Sequence, residues 1–150
     1  MKSRILMVFL FVVAVSAMSA SVSAQSRQFH NGSVWSIGFI QMKPGMDNAY
    51  LEYVATDWKK EQEALKTDGQ ILSYMVIQTE GHSSTDWNLM LMTEYKDLAT
   101  LEADEAKADA LLQKVIGNDA KQMQGYRERL QIREVMGNRI GRQITLTPRH

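Results

Sequence analysis

Hydrophobic positions fall along the chain in two patterns: one continuous run near the start, then short periodic segments separated by polar turns. The run is Ile5-Leu6-Met7-Val8-Phe9-Leu10-Phe11-Val12-Val13-Ala14-Val15, preceded by Lys2 and Arg4 and followed by small and polar residues ending in Val22-Ser23-Ala24. A basic start, a short apolar centre and small residues before a cleavage point are the three parts of a secretory signal peptide. The run is roughly half of the ~20 residues that a bilayer-spanning helix needs, which disfavours a retained membrane anchor. Cleavage after Ala24 makes Gln25 the first mature residue, and residues 25–33 read as a polar, mobile arm.

From Val34 the pattern becomes periodic. Val34 to Met42 alternates as a strand, with Trp35, Ile37 and Phe39 on one side and Val34, Ile40 and Met42 on the other. Lys43-Pro44-Gly45 stops it, and Asp47 is a suitable N-cap for a helix whose Leu51, Val54, Trp58 and Leu65 recur at helical spacing. That helix ends near Thr67-Asp68-Gly69. Ile71 to Thr79 and Trp87 to Tyr95 read as strands joined by a polar turn, a hairpin with a long loop. Asp97 caps a second helix with Leu101, Ala108, Leu112 and Val115 as its apolar stripe. Asp119 and Gln122 resemble a capping box for a third helix that uses Met123, Tyr126 and Leu130. A last strand lies within Val135 to Leu146 and ends at Pro148. In it Gly137 and Gly141 mark a bulge or a close backbone approach.

The order β-α-β-β-α-(α)-β predicts an α+β domain, 34–147, of the ferredoxin-like kind: a four-stranded antiparallel sheet with helices on one face and an extra helix before the last strand. Its other face should be polar if wet. Instead each strand is apolar on both sides: Trp35, Ile37 and Phe39 oppose Val34, Ile40 and Met42, Leu72, Tyr74 and Val76 oppose Ile71, Met75 and Ile77, and Leu89 and Leu91 oppose Met90 and Met92. A second copy of the same sheet is the simplest cover, giving a two-fold homodimer.

Charge and cysteine content narrow the partners. Losing Lys2 and Arg4 leaves 15 basic residues against 17 acids in a mature chain of 126 residues, a net charge of −2. A near-neutral chain without a basic tract has no electrostatic footprint for nucleic acid. The absence of cysteine removes disulfides and lipid attachment, so an exported domain of this kind depends on its core. Periplasmic or secreted localisation follows from the leader.

Five residues stand out as ligand-binding candidates: Trp35, Tyr74, His82, Trp87 and Arg142. His82 is the one histidine inside the domain, placed between His30 in the arm and His150 at the terminus. It reads as a general base or as a solvated turn residue. Arg142 alternates with Ile140 and Ile144, so on a covered face its guanidinium needs an acceptor. Either it pairs with Glu94 or another strand carboxylate or lies at the barrel rim, or it holds a ligand carboxylate or carbonyl. Trp35, Tyr74, Trp87 and the methionines line an apolar pocket or fill the core. Glu102, Asp104, Glu105 and Asp109 spread around a helix and read as solvated surface. Arg127, Arg129 and Arg133 read as decoration of the third helix and its exit. Three scattered histidines without cysteine make no metal site, and no catalytic motif or phosphate loop is visible. Neither a cofactor nor a catalytic residue is assigned.

Taken together, the strand ending in Lys43-Pro44-Gly45, the long hairpin and the final Arg139-Ile140-Gly141-Arg142 strand resemble the dimeric α/β-barrel superfamily over Val34 to Leu146. The resemblance implies two sheets packed face to face and a ligand pocket between sheet and helices. Haem-binding relatives use a histidine in the second half of the domain, and none occurs between Trp87 and Arg149. Two functions are therefore expected. One is an exported protein that binds a small apolar or aromatic molecule; the alternative is a cofactor-independent monooxygenase or isomerase acting on a small aromatic substrate.

Overall fold

A computed structural model describes residues 28–147 of the chain, apart from 81, 82, 84 and 104. The expected signal peptide, its expected cleavage site and Pro148 thus lie outside the described residues. Strand β1 (Phe29–Met42) leads into a helix α1 spanning 47–67, built from Asp47–Tyr53, a π-helical stretch Val54–Trp58 and Lys59–Thr67. Strands β2 (Ser73–Gln78) and β3 (Leu89–Tyr95) form the hairpin. Helices α2 (Leu98–Ala103), α3 (Glu105–Val115) and α4 (Asp119–Arg129) then precede β4 (Arg133–Leu146).

The four strands form one antiparallel sheet in the order β2-β3-β1-β4. Because β1 and β2 both run against β3, they are parallel to each other, and so are β3 and β4. The chain therefore contains two interleaved split β-α-β units, which is compatible with a ferredoxin-like fold.

Register divides the sheet into two faces. On one, Gln78, Leu89, Ile40 and Val135 lie in a row, with Tyr74, Thr93, Ser36 and Ile140 in another. Helix α1 covers this face. Tyr50, Val54 and Trp58 pack with Ile40, Met42 and Leu89 in the central cluster, and the Thr93 hydroxyl donates to Gln62 Oε1 at 2.9 Å. The rows Met75–Met92–Ile37 and Ile77–Met90–Phe39 form the opposite face, as the alternation predicts.

Several boundaries differ from the sequence expectation. Strand β1 begins at Phe29, so residues 29–31 of the expected arm pair with Leu146, Thr145 and Ile144. Met46 occupies the N-cap of α1 and Asp47 is its first residue. For α4 the cap is Asn118, whose side chain accepts from Lys121 N at 3.1 Å, one residue earlier than Asp119. Asp97 does cap α2, accepting from Thr100 N at 2.8 Å. The glycines of β4 behave as expected. Met136 is the extra residue between Val135, opposite Ile40, and Gly137, opposite Phe39, and Gly137 has φ 154°. A Cβ on Gly141 would sit 3.3 Å from Ile37 Cδ1.

Leu89 has no exposed surface and lies where β1, β3 and α1 meet. Leu89→Ala is expected to lower unfolding free energy by about 3 kcal/mol, measured by urea denaturation. A loss below about 1 kcal/mol would mean that the core is not organised around this position.

Candidate functional site

A broad groove lies beside α1. Helix α1 supplies Tyr53, Asp57 and Glu61, and the opposite wall is Leu112, Ile116 and residues of α4, including Met123, Tyr126 and Arg129. The groove encloses about 670 Å³, within the size range of small-molecule sites. Tyr53, Asp57 and Glu61 are each four residues apart. In a regular α-helix that step overshoots a full turn and the side chains drift around the axis. The wider π turn at Val54–Trp58 takes up part of that drift, so all three reach one flank. The same spacing keeps Tyr50, Val54, Trp58 and Gln62 buried over the sheet.

Helix α4 forms the other wall because it stands away from α1. Its stripe of Met123, Tyr126 and Leu130, expected to be core, remains 54%, 42% and 38% exposed. The chain is tied down at both ends of the groove. Lys60 Nζ donates to Val115 O at 2.9 Å, and Lys43 Nζ donates to Leu130 O at 2.8 Å.

Of the charged groups that line the groove, Asp57, Asp119, Lys121 and Glu128 are exposed, while Glu61 and Arg129 are half-buried. The Arg129 guanidinium lies 4.2 Å over the Tyr53 ring. Arg133 lies 5.6 Å from the rings of both Tyr50 and Tyr126. Read from sequence as surface decoration, Arg133 is in fact buried, because it opens β4 opposite Met42 on the helix-covered face. Burial pushes the Glu61 carboxyl up to about 7, with Arg129 opposing the shift and Asp57 adding to it. Burial also raises the Tyr53 phenol to about 12, reinforced by Glu61. Tyr50 is raised by burial as well, against the pull of Arg133 and Arg129.

Of the residues singled out from the sequence, the four that are described are not brought together. Trp35 is on the face away from α1, opposite Glu94 and Gly141. Trp87 meets Phe39 edge-on at 5.0 Å. Tyr74 is on the helix-covered face, edge-on to Trp58 at 5.5 Å, and its hydroxyl donates to Glu63. Arg142 sits opposite Val34 at the exposed end of β4. Glu94 is on the other face and accepts from the hydroxyls of Ser33 and Ser73, so it does not serve Arg142. His82 lies outside the described residues. Among the described residues there is no group of acidic or histidine side chains able to hold a metal, and no helix is long and apolar enough to cross a membrane.

No protein-family model matches the chain, and none of the curated proteins compared with it matches. The functional reading therefore rests on the groove itself.

A carboxyl whose pKa is higher in the fold than in the unfolded chain binds its proton more tightly when folded. Stability then falls as pH rises, here between the ordinary value of 4.5 and about 7. Glu61→Gln should remove this slope and leave the protein about 1–2 kcal/mol more stable at pH 8, allowing for the solvent that still reaches the group. Chemical denaturation at pH 5 and pH 8 measures this. An equal slope in both proteins would show that Glu61 is not the responsible group.

Proposed function

We propose that the mature chain is an exported, homodimeric protein of the dimeric α/β-barrel type that binds a small apolar or aromatic molecule. The observation that carries this reading is the α1–α4 groove, of a size that suits a small molecule, in which Tyr53, Leu112, Ile116, Met123 and Tyr126 stand among charged and amide side chains. Export is supported by the leader pattern, which points to the periplasm or the exterior. Native mass spectrometry of protein recovered from the periplasm is expected to show an added mass that denaturation releases. A bare polypeptide mass, together with no thermal stabilisation by a panel of small aromatic compounds, would remove the reading.

Dimerisation through the open sheet face is supported by the Met75–Met92–Ile37 row, of which Met75 is 47% exposed. Placing a charge in that row should split the dimer, because an unpaired charge is expensive to bury. Met92→Lys is expected to halve the mass measured by light scattering while leaving the circular dichroism spectrum unchanged. A wild-type protein already monomeric at micromolar concentration would end the two-sheet proposal.

The raised Glu61 carboxyl favours a second reading, proton abstraction from a small aromatic substrate, since a base with a pKa near the working pH transfers protons most effectively. Hydrogen–deuterium exchange of aromatic carbon acids, followed by NMR and lost in Glu61→Gln, would establish it. Binding without exchange would leave the protein a binder.

A further inference from the structure

Three guanidinium nitrogens of Arg129 and Arg133 lack acceptors among the described residues. Arg133 is 6% exposed, yet its Nε and Nη1 have no hydrogen-bond partner among the described residues, and neither does the buried Nε of Arg129. The single ion pair within 4 Å among those residues joins Lys107 to Asp68, so no carboxylate closes on either arginine. Their observed partners are tyrosine rings: Tyr53 under Arg129, and Tyr50 and Tyr126 about Arg133. Ring faces attract a cation but leave most of a guanidinium's five N–H donors unused. A buried charge in that condition is costly unless an acceptor arrives. Arg129 and Tyr126 both line the groove, and Arg133 is packed on Tyr126.

We propose that the groove recognises small aromatic carboxylates. The ring lies among Tyr53, Met123 and Tyr126, and the carboxylate accepts hydrogen bonds from Arg129, with Arg133 supplying a second positive charge. This rests on the small-molecule reading above and names its ligand class. An arginine fork matches a carboxylate in two parallel bonds, which a lysine cannot reproduce. Asp57, Glu61, Asp119 and Glu128 line the same groove; Asp119 and Glu128 accept from the Gln113 and Gln124 amides, and repulsion from Glu61 is reduced because burial favours its protonated form.

Calorimetric titration of the mature protein with benzoate, benzyl alcohol and inorganic phosphate tests this. Benzoate is expected to bind at least about ten-fold more tightly than either of the others, the value of one charge-assisted contact. Arg129→Gln should weaken benzoate by about ten-fold or more and leave benzyl alcohol within about two-fold. Arg129→Lys, which keeps the charge, should recover only part of the loss. Benzyl alcohol binding as tightly as benzoate would overturn the carboxylate assignment and leave the small-molecule reading standing. Phosphate equal to benzoate would overturn it in favour of a bare anion site. Silence from all three probes would remove both readings.

Discussion

Everything in the described domain is arranged around the packing of α1 against the shared face of β1 and β3. Leu89, Ile40 and Met42 from the sheet meet Tyr50, Val54 and Trp58 from the helix, and this is the one place where a sizeable apolar cluster is closed on all sides. Strand β1 is central because it pairs with β3 along one edge and β4 along the other. Its sequence must therefore satisfy two neighbours and a helix at once. That demand fixes which face is covered, and so which side chains are left for the open face.

The same contact sets the position of the groove. A helix that keeps residues four apart over a flat sheet needs a wider turn than the regular α-helix provides, and the π stretch supplies it. Tyr50, Val54, Trp58 and Gln62 then point down, while Tyr53, Asp57 and Glu61 follow the same spacing along one flank. Helix α4 does not close that flank, and Met123, Tyr126 and Leu130 remain exposed. Core packing and the groove are thus two consequences of one helical irregularity.

The strands were legible because alternation is a direct image of a two-faced sheet. Trp35, Ile37 and Phe39 share a face in the fold as they do in the pattern, and Gly137 and Gly141 mark the bulge and close approach they suggest. Helix faces were less legible. A tyrosine on a helix does not declare whether its ring is buried, so the sequence does not distinguish Tyr50 from its neighbour Leu51, although Tyr50 is among the most buried residues. Arginine is harder still, because charge argues for the surface while its long stem and planar head allow it to stack. Charge alone places Arg129 and Arg133 at the surface; of the tyrosines that hold them, Tyr50 and Tyr53 are far away in sequence and only Tyr126 is near. Only Ile132 beside Arg133, at the start of a strand, hinted at burial.

Arg142 and Arg133 show why one arginine on a strand is a candidate and another is not. Both sit on the same face of β4, opposite Val34 and Met42. The helices cover only the Arg133 end, so Arg142, Ile140 and Ile144 remain in solvent. An exposed guanidinium is satisfied by water and needs no ligand. A buried one without an acceptor keeps a desolvation cost that ring contacts only partly offset. Such a cost is tolerated where binding can use it, since an anion reaching these donors recovers hydrogen bonds the fold leaves unmade. The requirement for an acceptor, inferred from sequence for Arg142, is thus displaced along the same strand to the end that lies beneath the groove wall.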